Sequence, residues 1–442
     1  MAARYSISRL IDSRNCYELV NRGFVSAHSS YKHERIRTVE EIIAKDKGGM
    51  IFSPRVGLHG NVAVLDYENE YANLILKHNL SYETATSTAD SKGLLPTVLE
   101  SVLKRRIFFS TLQKSFLVDT QEWLWCEQRT AALKNILVSL YGTSSSFWNR
   151  FANVDTFEEI NRLSREILIE TKDIVQGLRF KLVHADTDSV FLKKHGATLE
   201  DFESVKNILA KETGIPISVE NRYKFLVLLP LEADEKMEAL KHYFGITTTD
   251  ELVVRGIEIR RHDSPNFIKV FQCEILYALF DCVDSSEVLS KGYDNALLDV
   301  TKTIDKLMTG EIQLKDLVVS KILRQDLRKY RSLFPHVSAA IQLSEAGVPL
   351  VRGDTIQYVY TAATHTNPLR RVTPIDFIEE GKEQDYDKEK YCEMLLEAAE
   401  TVLGYFGFDR TLYGDTSRKK NRKWCHYLKE QSQKDIETER YS

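Results

Sequence analysis

Between Glu68 and Asn79 the chain reads ENEYANLILKHN, and Tyr71, Leu74, Ile75 and His78 recur at i, i+3, i+4 and i+7, the period of one helix face. Just before it the period changes. In GGMIFSPRVGLHGNVAVLDY, glycines punctuate short apolar runs, and NVAVLD predicts a buried strand ending on the carboxylate Asp66. Residues 1–45 read as helical, with Ile7, Leu10 and Ile11 on one face. A helix is predicted over Leu94 to Gln113, with Pro96 in the first turn where a missing N–H costs little. Another covers Glu122 to Tyr141, and the short link between the two predicts an antiparallel pair. A helix near Phe157–Gln176, a hairpin at KLVHADTDSVFL (Lys181 to Leu192) and a helix over Leu199–Glu212 follow. Strands are predicted at PISVENRYKFLVLL and ELVVRGIEIRR, and from Asn266 onward the pattern is mainly helical with one strand at DTIQYVYTA. The expected class is α+β, with an inserted hairpin of helices and an appended helical region.

Composition narrows this only a little. A chain of 442 residues is too long for one simple core and predicts two or three domains. No run is apolar enough to span a membrane, and the first residues carry no apolar leader, so a cytoplasmic protein is expected. The cysteines at 16, 126, 273, 282, 392 and 425 form no C-x-x-C pair, which gives no zinc or iron–sulfur signal. A net charge of −4 does not by itself point to a nucleic acid, but Arg418, Lys419, Lys420, Arg422 and Lys423 concentrate positive charge near the C-terminus.

The chemistry-bearing pattern is acidic. Asp66, Asp186 and Asp188 stand at strand ends or turns. If Asp186 and Asp188 lie on one strand they share a face, and a third carboxylate from a neighbouring strand makes an oxygen-rich pocket for Mg²⁺ or Mn²⁺. Two such ions roughly 3.5–4 Å apart clamp the attacking and leaving oxygens of a phosphoryl transfer. Spacing alone favours a structural surface turn, since Asp and Thr are ordinary turn residues.

HADTDSVFL resembles the YGDTDS palm motif of family B DNA polymerases, with His184 and Ala185 in place of Tyr-Gly. Other motifs follow in order. NVAVLDYENEYANLILKHNLSYET is similar to the segment D-F-x-S-L-Y-P-S-I-I with its trailing H-N-x-S-x-x-T. LLPTVLESVLKRRIFF and QRTAALKNILVSLYGTSS resemble the two fingers helices, and KHYFG with LVVRGIEIRRHD resembles the stretches that contact the primer–template duplex. LRQDLRKYRSLFPHVSAA, GDTIQYVYT and YDKEKYCEMLLEAAETVLGYFGF resemble the thumb. The resemblance implies a right-hand architecture with an antiparallel-sheet palm, helical-hairpin fingers and a mainly helical thumb. Its divisions would be N-terminal linker helices at 1–45, palm at 46–85 and 146–264, fingers at 86–145, and thumb with a basic tail at 265–442.

By the same resemblance Asp66, Asp188 and the Tyr67 carbonyl hold two Mg²⁺ ions (Mn²⁺ substituting), with Asp186 and Glu220 close by. Arg106 and Lys134 bind the triphosphate of the incoming dNTP, an arginine fork beside a lysine point charge. Tyr71 is the gate against a ribose 2′-hydroxyl, and Tyr141 and Gly142 line the nascent base pair. Lys241, Tyr243, Arg255 and Arg261 grip backbone phosphates of primer–template DNA without reading sequence.

Four departures qualify the match. NEYAN replaces S-L-Y-P-S and puts the carboxylate of Glu70 beside the gate, Ser110 stands where a second fingers cation is usual, and Val138 stands where asparagine is usual. Only 65 residues precede Asp66, so the family's N-terminal and 3′–5′ exonuclease domains are expected to be missing from this chain. These features resemble a divergent archaeal paralogue group or the catalytic half of a split enzyme. Three readings follow. One is a DNA-directed DNA polymerase without its own proofreading, used in repair or lesion bypass. The second is a polymerase half that needs a separately encoded exonuclease or accessory chain, and the third a non-catalytic DNA-binding subunit. Retention of Asp66, Asp186, Asp188, Arg106 and Lys134 argues against the third.

Overall fold

The computed structural model describes residues 6–25, 36–45, 48–83, 91–230, 238–378 and 385–413. The basic run from Arg418 to Lys423 and Cys425 lie outside the described residues. The chain divides into two compact units, residues 1–53 with 63–221 and residues 54–62 with 222–442. Two long strands, β2 (Gly57–Tyr67) and β5 (Ile217–Pro230), contribute residues to both.

The first unit opens with α1 (Ile7–Asn21) and α2 (Val39–Lys45). On α1 it is Ile11 and Asn15 that are buried, while Ile7 and Leu10 stay exposed, so the expected apolar face is packed only in part. The remaining elements are β1 (Ile51–Phe52), α3 (Glu70–Lys77), α4 (Leu94–Gln113), α5 (Gln121–Gly142), α6 (Val154–Gly177), β3 (Lys181–Asp186), β4 (Ser189–Lys193) and α7 (Leu199–Thr213). Strand order within this unit is β1-β3-β4-β2-β5, and β1 and β4 each run antiparallel to β3. Alternate residues Ala63, Leu65 and Tyr67 pack with Ile167, Leu168 and Val175 of α6 and Phe202, Val205 and Leu209 of α7, the period-2 burial of a sheet face under helices. A second core joins Ile11, Ala72 and Ile75 to Leu94–Leu103 of α4 and to Leu137 and Leu140 of α5. Most of the buried side chains of the α4–α5 hairpin therefore lie at its base, with Cys126 buried nearer the tip. That base is tied down where Asn79 Oδ1 accepts from the Gly93 N–H at 2.8 Å and Ser81 Oγ accepts from the Leu95 N–H at 2.9 Å.

The expected face of α3 needs one correction. The helix ends at Lys77, and His78 is exposed at its C-cap, so the buried stripe is Glu70, Ala72, Leu74 and Ile75.

In the second unit the order is β2-β5-β6-β7, with β6 (Glu238–Thr247) antiparallel to both β5 and β7 (Leu252–Arg255). Strand β6 was not among the predicted elements. A Cβ on Gly245 would lie 2.5 Å from the Phe225 carbonyl oxygen, so glycine is what lets β6 approach β5. The strand expected over ELVVRGIEIRR stops at Arg255, because Gly256 turns the chain at φ +74 and Glu258–Arg260 forms a 3-10 turn. Phe225, Val227 and Phe244 pack against α8 (Asn266–Phe280). A single turn, α9 (Ser285–Glu287), then leads through a π-helical stretch into α10 (Tyr293–Thr309). Beyond Asn266 the chain is less purely helical than expected. Strands β8 (Val319–Ile322), β9 (Thr355–Tyr360) and β10 (Val372–Pro374) form an antiparallel sheet in the order β10-β9-β8. Ala339, Ala340 and Leu343 of α11 (Pro335–Glu345) cover it, and α12 (Lys388–Leu403) completes the unit's core. Among the described residues no helix is long and apolar enough to cross a membrane.

Candidate active site

The acidic residues converge because β2 and the β3–β4 turn are stitched together. The Tyr67 N–H donates to the Asp188 carbonyl oxygen at 2.9 Å, which brings the end of β2 beside the turn. The Tyr67 side chain points away from that junction. It is 1% exposed, and its hydroxyl is hydrogen-bonded to Thr171 of α6, which itself donates to the Ile167 carbonyl at 2.7 Å.

Asp186 ends β3, whereas Asp188 occupies the turn with Thr187, so the alternation expected to put both carboxylates on one strand face does not apply. The turn does that work instead. Thr187 adopts φ 59 and donates its N–H to the Met50 carbonyl at 3.1 Å, while the Asp188 N–H reaches the Asp186 carbonyl at 2.8 Å. His184, in place of the family tyrosine, is 2% exposed, with its Nδ1 2.9 Å from the Phe52 carbonyl.

Burial pushes the Asp66 carboxyl up to about 7, and repulsion from Asp188, Glu220 and Glu68 adds to it against the opposing pull of Lys134. Asp188 is raised as well, first by burial and then by Asp186 and Glu220, again with Lys134 pulling down. Asp66, Asp186, Asp188, Glu220 and Lys134 therefore share one electrostatic neighbourhood. Among the described residues no three metal-ligating side chains stand close enough to hold an ion as they are. The donors are nonetheless all hard carboxylate oxygens whose mutual repulsion a divalent cation would relieve.

Opposite this negative field stand the cations of the α4–α5 hairpin. Arg106 is half-buried and donates through Nη1 to Asn69 Oδ1, while its Nε has no partner. Burial lowers the Arg106 pKa, and the fields of Glu68 and Asp66 oppose that. Asn69 sits in the left-handed region at φ 53, a conformation asparagine tolerates, and Asn73 Nδ2 secures the same turn by donating to the Glu68 carbonyl at 2.7 Å. Ser110 lies one helical turn beyond Arg106 and is part-exposed, and Val138 on α5 is 60% exposed.

Tyr71 and Tyr141 face each other with ring centroids 4.4 Å apart, and Tyr141 stacks on Phe157 at 4.9 Å. The Tyr141 hydroxyl donates to Asn161 Oδ1 at 2.7 Å. A Cβ on Gly142 would meet nothing within 4 Å, so the protein itself imposes no close approach there.

Glu70 is the side chain whose environment the sequence concealed. It is 3% exposed, and neither carboxyl oxygen has a hydrogen-bond partner. Burial pushes its carboxyl up to about 8, helped by Asp188 and Asp66, with the nearby Ser164 hydroxyl acting in the opposite direction. Asn69 and Asn161 were likewise not singled out for any contact. The signal for the burial of Glu70 was its place one turn before Leu74, on the buried face of α3.

Four more residues singled out in the sequence lie in the second unit. Tyr243 pairs with Arg255 across β6 and β7, and Lys241 and Arg255 are exposed. Arg261 makes two hydrogen bonds to Asp263, at 3.2 and 3.4 Å, and Asp263 also takes Lys321 at 3.2 Å. Arg261 thus shares the single charge of Asp263 with Lys321.

Residues 18–92 and 85–405 match the model of DNA polymerase family B. A DNA polymerase of Desulfurococcus sp. (strain Tok) is 29% identical over 419 residues, which is 89% of this chain and 51% of that protein. A DNA polymerase of Archaeoglobus fulgidus is 27% identical over 350 residues, 76% of this chain and 42% of that one. The solved family B DNA polymerase of the hyperthermophilic archaeon Pyrobaculum calidifontis shares the fold with a TM-score of 0.64 at 21% identity, covering 92% of this chain and 52% of the other. The chain spans about half the length of the curated relatives it matches.

The Glu70 environment makes a prediction. Its folded-state pKa lies above the ordinary value of 4.5, at about 8, so the folded chain keeps a proton that the unfolded chain gives up between those limits. Stability should therefore fall as pH rises through that window. Glu70→Gln keeps the shape and removes the charge. In urea denaturation without divalent cations the variant should gain on wild type by about 2–4 kcal/mol between pH 5 and pH 9. A difference that stays constant with pH would show that Glu70 is ionised in the folded state.

Proposed function

The chain belongs to DNA polymerase family B, and from that membership we propose that it extends the 3′-hydroxyl of a DNA primer along a DNA template. The observation that carries this reading is the shared neighbourhood of Asp66, Asp188, Glu220 and Lys134, with Arg106 held beside it by Asn69. In this reading residues 46–85 and 146–264 are the palm, 86–145 the fingers and 265–442 the thumb. Asp66, Asp188 and the Tyr67 carbonyl would hold two Mg²⁺ ions, or Mn²⁺ in their place, with Asp186 and Glu220 adding negative potential. Such ions lower the pKa of the primer hydroxyl and neutralise charge on the transferring phosphate.

The chain's own groups bind and orient. Arg106 would exchange its bond to Asn69 for triphosphate oxygens, since a guanidinium with an unpartnered buried Nε has donor capacity to spare. Lys134 would supply a point charge from α5. Tyr71, braced by Tyr141 and through it by Asn161, would present a rigid ring edge to the sugar. Lys241, Tyr243, Arg255 and Arg261 would contact backbone phosphates, Arg261 least because Asp263 already engages it.

The carboxylates gathered here are assigned to nucleotidyl transfer, and this polypeptide is proposed to have no 3′–5′ degradative activity of its own. The polymerase reading is tested with a labelled primed template, dNTPs and Mg²⁺ or Mn²⁺. Wild type should lengthen the primer without shortening a mismatched end, and Asp188→Ala should abolish extension. No extension with either metal would return the chain to the class of DNA-binding subunits.

Ser110 gives a finer prediction. A charge-assisted hydrogen bond is worth roughly 1.5–3 kcal/mol, so Ser110→Lys should lower the KM for dNTP in single-nucleotide insertion by about tenfold to a hundredfold. A looser natural grip on the triphosphate fits a role in repair or lesion bypass. An unchanged KM in Ser110→Lys, together with a mild effect of Arg106→Ala, would mean that the triphosphate is held elsewhere.

A further inference from the structure

Toward its tip the α4–α5 hairpin carries rings that no core absorbs. Phe108 is 59% exposed and Trp125 48% exposed. Phe109 links them, meeting Phe108 at 5.3 Å and 74° and Trp125 at 5.3 Å and 82°. In each edge-to-face contact one ring's edge meets the other's face, and Phe108 and Trp125 keep about half of their surface in solvent. The Arg129 guanidinium lies over Trp125 at 4.0 Å and near Phe109 at 5.3 Å. By helix geometry Phe108 is roughly 160° round α4 from Arg106, and Arg129 roughly 140° round α5 from Lys134. Phe108 and Arg129 are therefore on another side of the hairpin from the triphosphate cations, while Phe109, roughly 60° from Arg106, lies between the two sides.

We propose that this face, built by Phe108, Phe109, Trp125 and Arg129, is a stacking platform for unpaired bases of single-stranded DNA. Charge favours a nucleic acid over a protein partner. Leaving out Arg106, residues 104–129 carry four basic side chains against three acidic ones in a chain whose net charge is −4. Lys104 and Arg105, both exposed, stand one turn before Phe108 and Phe109, where they would meet the phosphates of a strand whose bases lie on the rings. Lys104 is shared with Glu100, at 2.8 Å, which leaves Arg105 and Arg129 as the main cations of the face. Rings interleaved with guanidinium groups bind bases without reading sequence, because every base has a π-face. The identification of that strand as template rests on the polymerase reading. The stacking does not.

The test is fluorescence anisotropy with labelled dT20 and with an abasic strand of equal length, in the absence of dNTPs and divalent cations. Trp125→Ala and Phe108→Ala should each weaken binding to dT20 by about fivefold to a hundredfold. Binding to the abasic strand should be unchanged, and Trp125→Phe, which keeps a ring, should retain most of the affinity for dT20. The proposal is overturned if the double alanine variant binds dT20 like wild type, or if the abasic strand loses as much. It is also overturned if sedimentation shows a wild-type dimer that Trp125→Ala dissolves, since the face would then be an interface between copies. Primer extension run in parallel separates the two readings. Extension with Trp125-independent dT20 binding sinks the platform alone, whereas Trp125-dependent binding without extension supports the platform and counts against the polymerase.

Discussion

Beside the pairing of β4 with β2, a backbone hydrogen bond from the Tyr67 N–H to the Asp188 carbonyl fastens two segments whose side chains repel each other. The arrangement survives because the repelling groups are fastened by their backbones and not by their carboxylates. Asp66 closes a strand whose neighbours Leu65 and Tyr67 are buried in the core under α6 and α7. Asp188 is set by a turn in which Thr187 takes a left-handed backbone and bonds to Met50. Packing thus supplies the free energy that keeps charge crowded where water would disperse it. A carboxyl raised to about 7 is the local signature of that crowding.

The cations answer the same constraint from a different element. Lys134 opposes the upward shift of both Asp66 and Asp188, yet it remains exposed on α5. Arg106 is held in readiness by Asn69, on the turn between β2 and α3. Since most of the buried side chains of the α4–α5 hairpin lie at its base, its upper part can present charges on one side and rings on another. Glu70 adds a buried acid beneath the site, with no hydrogen-bond partner to compensate its burial. A protonated carboxyl there costs less than an ionised one, which accounts for its raised pKa.

Periodicity carried the long helices well. The limits of α4 agree with Leu94–Gln113 because leucines and a first-turn proline mark its buried base, and α5 differs from the expected limits by one residue at each end. The motif aspartates were legible as a set, but the route to their convergence was not. Spacing suggested strand alternation, whereas a two-residue turn places Asp188. Strand β6 escaped notice because EALKHYFGIT mixes charges with small residues and its role depends on Gly245 fitting against Phe225. His78 satisfied the helical period yet lies past the helix end, and the pairing of Arg261 with Asp263 is a tertiary fact that no spacing encodes. Glu70 was visible as a departure from a motif, but its burial follows from packing against α6 and could not be read from charge alone.

In the proposed reading Asp66 and Asp188 are crowded so that a divalent cation can be held between them. Mn²⁺ binding followed by electron paramagnetic resonance, on the full chain without DNA or nucleotide, tests this directly. Wild type should bind Mn²⁺ with an affinity that falls as pH drops from 8 to 6, because a proton competes for Asp66 near its raised pKa of about 7. Asp66→Asn and Asp188→Asn should each remove most of that binding together with its pH dependence. Binding that persists unchanged in both variants would place the cation elsewhere and contradict the account.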